Sequence, residues 1–328
     1  VLSDHSIRVP HLRPSFIAPK VGWKRRAIQL LIAAAVLRAC AIILTAQTAP
    51  NWTRAVQAAS TASPDARILV LDLHDGHLLA SHHLDDAART LAAPGSTLKP
   101  LILYKLIASN RWSSDRRIAC NRSLVISGRR LACSHPPAPP FDARSALAWS
   151  CNTYFVQAAR ALYPGDLGPL LRPTGLLGAS GLARDEAVAE FREPRTVEGR
   201  QLAVLGIEDI RITPLELAVA YRWLATEFSA HTDGPAARTV SAALADSTES
   251  GMAQPASQGS VSVSGKTGTA ESPASQRTHG WFAGFAPAAH PEIVIVVFLP
   301  TGRGMDAAHV AGLVLAEAPL TANKAKHP

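Results

Sequence analysis

The sequence predicts an α+β fold, a mainly antiparallel β-sheet flanked by helices, preceded by a single N-terminal transmembrane helix. Three observations predict it. Helix-like and strand-like segments fall in groups rather than in strict alternation. The strands expected at 280–285 and 292–299 are too close for a crossover helix, which makes them antiparallel neighbours. The most apolar stretch, 27–46, has about the 20 residues that a helix needs to cross a bilayer core.

Taken in order, residues 1–26 form a basic segment and 27–47 the transmembrane anchor. Lys20, Lys24, Arg25 and Arg26 lie just before the anchor, and the residues after it are poor in positive charge. The positive-inside rule then puts 1–26 in the cytoplasm and everything after Thr48 outside. Arg38 within the span costs about 2.5–3.5 kcal/mol on insertion scales. A cleaved signal peptide is the competing reading, against which stands the poor small-x-small pattern of Thr45-Ala46-Gln47-Thr48-Ala49. Residues 48–65, with Ala, Ser, Thr and Pro prominent, read as a linker.

One folded domain follows over 66–320, a size that a single core can sustain, and then a tail, 321–328. The domain opens on an alternating strand at 67–73, turned by Asp75-Gly76 into Leu78-Leu79-Ala80. Pro94-Gly95 precedes a helix over 97–108 with Leu98, Leu101, Ile102 and Leu106 on one face. A second helix starts near Ser150 and runs through Ala158. A third begins at Thr213-Pro214-Leu215-Glu216, where a capping threonine, a first-turn proline and a glutamate complete a capping box. Strands at 261–269, 280–285 and 292–299 and a helix over 306–318 close the domain, while 166–206 reads as loop-rich.

The formal net charge of +8 does not point to nucleic acid. Residues 1–49 hold a net +6, and Lys324 and Lys326 account for the rest, so the domain is close to neutral with no basic stripe for phosphates. Cys120 and Cys133 flank a short Arg-rich loop, and an oxidising compartment permits a disulfide between them, with two free thiols as the alternative. His74, His77, His82 and His83 lie among Asp72, Asp75, Asp85 and Asp86; such a group can bind metal but is more often a solvated turn.

Three short patterns carry chemistry. In Ser96-Thr97-Leu98-Lys99 a helix would place hydroxyl and amine one turn apart. A serine needs a neighbouring base to become a nucleophile, and a lysine whose pKa is depressed by burial or nearby positive charge can be that base. The chain has seven lysines, of which only Lys99, Lys105 and Lys266 fall within 67–320. Arginine, which it otherwise prefers, cannot be deprotonated, so a lysine at Lys99 points to titration. In Ser150-Cys151-Asn152 the hydroxyl can pass a proton and the amide can bind a substrate amide, although a helix-capping serine explains the tripeptide equally well. In Lys266-Thr267-Gly268-Thr269, at a strand end, a lysine and two hydroxyls can hold a carboxylate, and the glycine admits a ligand close to the backbone.

In this order the three patterns resemble the penicillin-recognising serine acyltransferases, whose motifs are Ser-x-x-Lys, Ser-x-Asn and Lys-Thr-Gly. Pro94-Gly95-Ser96-Thr97-Leu98-Lys99-Pro100, Ile212-Thr213-Pro214-Leu215-Glu216-Leu217-Ala218 and Trp281-Phe282-Ala283-Gly284-Phe285 extend the likeness to penicillin-binding transpeptidase domains over 66–320, weakest at 163–205. The resemblance implies an all-helical lobe beside the sheet. It implies that Ser96 attacks a D-Ala-D-Ala stem peptide, that Lys99 takes its proton, and that Ser150 and Lys266 relay protons and set the field. Asn152 would bind the peptide amide, and Thr267, Gly268 and Thr269 the terminal carboxylate. The backbone N–H groups of Ser96 and Thr269 would form an oxyanion hole.

No metal or other cofactor is required by that scheme. The implied partners are peptidoglycan stem peptides, β-lactam antibiotics, the membrane, and a glycosyltransferase or other wall-synthesis protein; no nucleic acid is among them. The implied location is the cytoplasmic (inner) membrane with the catalytic domain on its outer, periplasmic side. A D,D-carboxypeptidase remains open, because sequence does not decide whether an amine or water meets the acyl-enzyme. A β-lactamase is disfavoured by Asn152, where one class has a hydrophobic residue, and by the lack of a convincing glutamate loop in 163–205. A β-lactam-sensing receptor would need a larger cytoplasmic portion than 1–26.

Overall fold

The computed structural model describes residues 52–271 and 277–320. The first third of these runs α1 (Trp52–Ala62), β1 (Arg67–Asp72), β2 (Leu78–His82), α2 (Leu84–Arg89), α3 (Lys99–Ala108), β3 (Ser123–Ile126) and β4 (Arg129–Ala132). Then come α4 (Ala143–Ala148), α5 (Asn152–Ala158), α6 (Leu167–Leu171), β5 (Glu190–Phe191), α7 (Val197–Val204) and β6 (Ile210–Arg211). The chain closes with α8 (Pro214–Ala230), α9 (Pro235–Glu249), β7 (Ser264–Glu271), β8 (Thr278–Ala286), β9 (Ile293–Leu299) and α10 (Gly304–Ala316).

Five strands form one sheet in the order β2-β1-β9-β8-β7, and every neighbouring pair is antiparallel. Strand β9 reads Ile-Val-Ile-Val-Val-Phe-Leu and is buried throughout, a pattern that needs cover on both faces. Side chains alternate across a strand, so Ile68, Val70, Ile295 and Val297 meet one apolar cluster with Trp52 and Val56 of α1 and Val310 and Ala311 of α10. Leu69, Leu71, Val294, Val296 and Phe298 enter the other, which continues through Leu217 and Tyr221 of α8 into Leu101 of α3 and Phe155 of α5. Each such side chain removed from water contributes roughly 1.5–3 kcal/mol. Replacing Val296 by aspartate would strand a charge where no partner can reach it.

The α+β class, the antiparallel sheet and its flanking helices agree with the sequence reading, as does the capping box. Thr213 accepts the Glu216 N–H at 3.1 Å and the Glu216 carboxylate accepts the Thr213 N–H at 2.7 Å. One reading is corrected. Residues 52–62, taken as part of a linker, form α1, whose Trp52, Ala55, Val56 and Ala59 are buried at helical spacing. The segment 166–206 is loop-rich as read, with α6 and α7 set within it, the second capped by Thr196. The expected anchor 27–47, the basic segment 1–26 and the tail 321–328 lie outside the described residues. Among the described residues no helix is long and apolar enough to cross a membrane.

Candidate active site

Ser96 sits in a single 3-10 turn, Gly95–Leu98, that runs straight into α3. The turn is held from several elements at once. His279 and Trp281 of β8 direct ring nitrogens to the Ala93 carbonyl at 2.8 and 2.9 Å. The Tyr221 hydroxyl of α8 donates to the Thr97 carbonyl at 3.0 Å, and the Gly95 N–H donates to Gly206 O at 2.9 Å. Gly95 has φ +56°, and a Cβ there would fall 2.8 Å from Thr269 O, so only glycine lets the turn lie against β7.

Lys99 begins α3 and is fully buried. Its Nζ donates to Asn152 Oδ1 at 2.7 Å, Ser150 O at 3.0 Å and Ser150 Oγ at 3.3 Å, and lies 5.0 Å from the Phe155 ring centre. Burial pulls its pKa down to about 8, against an opposing pull from the neighbouring Cys151 and Cys133 sulfurs. Ser96 Oγ itself has no hydrogen-bond partner among the described residues, and the amine bonds the Ser150–Asn152 segment instead. Apo active sites often show catalytic pairs that tighten only when substrate arrives.

Ser150 follows α4 in the left-handed region, at φ +57°. Its N–H bonds Leu147 O at 3.2 Å and the Cys151 N–H bonds Ala146 O at 2.9 Å, the paired closure of a Schellman motif in which glycine normally takes this position. The strained turn brings both the carbonyl and the hydroxyl of Ser150 to Lys99. Asn152 opens α5, and its Nδ2 donates to Ala132 O at 2.8 Å, which fixes the amide with its oxygen on the lysine. One N–H and one lone pair of that amide remain for a ligand.

Strand β7 is the edge of the sheet and lies along the Ser96 turn. Lys266 is fully buried, donates to Thr267 O at 3.0 Å, and has its pKa held well below the ordinary value by burial and by the charge of Lys99. Two buried amines close enough to repel disfavour double protonation. Thr269 lines the cleft with Ser96, and its Oγ1 accepts the Gly304 N–H at 2.9 Å. Thr267 is buried, its Cβ close to Gly304 at the start of α10. Gly268 also has another reason than ligand access, because a Cβ there would meet Pro94 O at 2.5 Å and Thr97 Cγ2 at 3.0 Å. The glycine exists so that strand and nucleophile turn can touch.

The resulting cleft, about 770 Å³, is bordered by Ser96, Asn152, Thr269 and Glu271 and by residues the sequence reading did not single out: Arg129 and Leu131 of the β3–β4 hairpin, and Leu205, Ile207 and Glu208 after α7. Arg129 pairs with Glu208 and, at 3.8 Å, with Glu271, bridging the mouth. No local signal marks an arginine in a short polar hairpin as a cleft residue; only the fold puts it there.

The cysteines require a correction. Cys120 and Cys133 do meet at the base of the β3–β4 hairpin, but both are free thiols with their sulfurs 3.5 Å apart, where a bonded pair lies at about 2.05 Å. The physical reason is company: His135 and Cys151 converge on the same point, so Cys120 and Cys133 face a four-residue cluster rather than each other alone. The histidine-rich turn is a solvated one, in which His77 pairs with Asp75 at 2.8 Å and His82 and His83 both reach Pro64 O.

Solved structures share this fold, a five-stranded antiparallel sheet with helices on both faces. A peptidoglycan glycosyltransferase from Burkholderia ambifaria superposes with a TM-score of 0.70 at 19% identity, covering 81% of this chain and 92% of that one. The transpeptidase domain of Burkholderia pseudomallei penicillin-binding protein 3 does so with a TM-score of 0.70 at 19% identity, covering 81% and 91%. The chain belongs to the family described as "Penicillin binding protein transpeptidase domain", whose model matches residues 58–318. Among curated proteins, the peptidoglycan D,D-transpeptidase PbpA of Mycolicibacterium smegmatis is 27% identical over 197 residues, which is 51% of this chain and 40% of that protein's length.

Proposed function

We propose that this chain is a serine D,D-transpeptidase that forms an acyl-enzyme on Ser96 with D-Ala-D-Ala stem peptides, cross-links peptidoglycan, and is acylated by β-lactams. One observation carries the reading: Ser96, the Ser150–Asn152 segment and strand β7 border one cleft, with Lys99 and Lys266 buried beneath it. Membership of the transpeptidase family supports the reaction class.

In this reading the neutral Lys99 amine takes the Ser96 proton as Oγ attacks the penultimate carbonyl carbon. With a pKa of about 8, about one Lys99 in ten is neutral at pH 7. The backbone N–H groups of Ser96 and Thr269, whose segments touch, receive the oxyanion. Ser150, in contact with Lys99, returns the proton to the departing D-alanine amine as the tetrahedral intermediate collapses. An acceptor amine then attacks the ester, Lys99 takes its proton, and Ser96 leaves as the alcohol. Asn152 orients the peptide amide, and Thr269 meets the terminal carboxylate beside the field of Lys266. We also propose that 27–47 is a retained anchor holding the domain on the outer face of the cytoplasmic membrane, which its hydropathy and flanking charges support.

Labelling by a fluorescent penicillin tests the assignment. Wild type is expected to hold a long-lived label that Ser96→Ala does not acquire; label persisting in Ser96→Ala would remove the nucleophile, and rapid release of hydrolysed drug would make the protein a β-lactamase. A D-Ala-D-Ala peptide with and without an acceptor amine then separates transfer from hydrolysis. Alkaline extraction and protease protection of membranes check the anchor.

A further inference from the structure

We infer that Cys120, Cys133, His135 and Cys151 bind a zinc ion in a closed Cys3His site that ties the base of the β3–β4 hairpin to the turn carrying Ser150 and Asn152. The three sulfurs and the imidazole nitrogen all lie within 4.8 Å of one another. Zinc–sulfur and zinc–nitrogen bonds of about 2.3 and 2.0–2.1 Å, set tetrahedrally, place ligand atoms roughly 3.5–3.8 Å apart. Cys120 Sγ stands 3.5 Å from Cys133 Sγ and 3.5 Å from His135 Nε2, so two of the six edges already have nearly tetrahedral spacing, and the rest lie within 4.8 Å.

The histidine is prepared for this role. His135 Nδ1 lies 2.7 Å from the Pro136 carbonyl, which can only accept, so Nδ1 carries the proton and Nε2 turns its lone pair to the sulfurs. A second hydrogen bond that fixes the ring in this way is the usual support of a metal-bound imidazole. The Arg122 N–H, 3.3 Å from Cys120 Sγ, and the Thr153 hydroxyl, 3.2 Å from it, are donors available to a thiolate. Cys133, His135 and Cys151 are buried and Cys120 is half-buried, so the set is shielded from water. Three thiols and one imidazole select a soft or borderline ion over magnesium or calcium, and four protein ligands leave no open position for catalysis.

Simple packing accounts for buried cysteines one at a time. It does not account for three sulfurs converging on an imidazole lone pair from a hairpin base, the residue after it and a helix start. The site touches no reacting atom and acts by position. Cys151 stands between Ser150 and Asn152, the two residues that hold Lys99 Nζ, and Cys133 follows Ala132, whose carbonyl holds the Asn152 amide. The ion would thus fix both sides of one cleft wall. Binding releases thiol protons and involves no change of oxidation state.

Elemental analysis of the full chain, purified from metal-replete cells without chelator, is expected to give about one zinc per chain. Cobalt(II) replacing zinc is expected to show the absorption of tetrahedral cobalt with thiolate charge transfer, and the thiols to react with a disulfide reagent only after chelation. Cys133→Ser and His135→Ala should lose the zinc; because either could misfold, the cobalt spectrum and thiol protection are read on the unmutated chain. Chelation is expected to slow labelling by fluorescent penicillin roughly 10-fold or more, with recovery on adding zinc back. Substoichiometric zinc with no cobalt bands overturns the inference, and so does a Cys120–Cys133 disulfide in the unreduced protein by mass spectrometry.

Discussion

Ser150 is held in a conformation that costs free energy, and Ser150→Gly separates that cost from the work of the hydroxyl. A left-handed non-glycine residue costs about 1–2 kcal/mol. Glycine removes this strain but gives back about 0.5–1 kcal/mol through the greater freedom of the unfolded chain. At φ +57°, with both Schellman hydrogen bonds kept, the net is a stabilisation between about 0 and 1.5 kcal/mol, or a melting temperature higher by up to about 3–6 °C. The same change deletes the hydroxyl 3.3 Å from Lys99 Nζ, and the loss of a proton-transfer group lowers rates by about 10²–10⁴. Ser150→Ala is the companion, losing the hydroxyl while keeping the strain. Thermal unfolding and the second-order rate of acylation by a fluorescent penicillin should therefore show both variants slow and only the glycine variant as stable as wild type or more so. A glycine variant that melts well below wild type, or that acylates at the wild-type rate, refutes the reasoning.

Lys99→Arg keeps charge and volume but removes the titratable base, so acylation should fall by about 10²–10⁴, read in the same assay. In wild type the acylation rate should climb with pH and level off above about 8, because the reactive form of Lys99 is the deprotonated one. Gly268→Ala should destabilise the domain by about 1–3 kcal/mol in urea unfolding and slow acylation, since its methyl enters the Pro94–Thr97 turn. His279 is buried with its pKa lowered, first by desolvation. A group whose folded pKa lies below its unfolded value stabilises above the unfolded value and loses that contribution as pH falls. Stability should therefore decline below about pH 6.5, and His279→Gln, which keeps an N–H donor, should flatten this decline in urea titrations at several pH values.

Much of the fold was legible because its signals are local. The Asp75-Gly76 turn, the Thr213–Glu216 box and the apolar run of β9 each declare an element from a few residues. The site was legible because Lys99 and Lys266 are rare lysines in an arginine-rich chain. What was missed depends on alanine or on distance. Helix α1 buries Ala55 and Ala59 beside Trp52 and Val56, but alanine is too small to stand out as a stripe in an Ala/Ser/Thr segment. Helix α9 hides in the same way, with Ala236, Ala237 and Ala243 on its buried side. The partner of Cys120 looked like Cys133 because those two are near in sequence; His135 and Cys151 join them only through the hairpin and the start of α5. Thr267 and Thr269 looked equivalent, and both meet the start of α10, but Thr267 is buried there while Thr269 stays exposed.

The pairing of β1 with β9 joins residues 67–72 to residues 293–298. Synthesis therefore leaves the sheet as two unconnected hairpin-like halves, β1–β2 and β7–β8, until its middle member, β9, follows them. Contacts so distant along the chain slow folding. A chain cut before residue 293 would lose the one strand that joins β1–β2 to β7–β8, and with it the support of the sheet whose edge carries Lys266. Competence for chemistry therefore waits on the strand that is last in sequence and central in space.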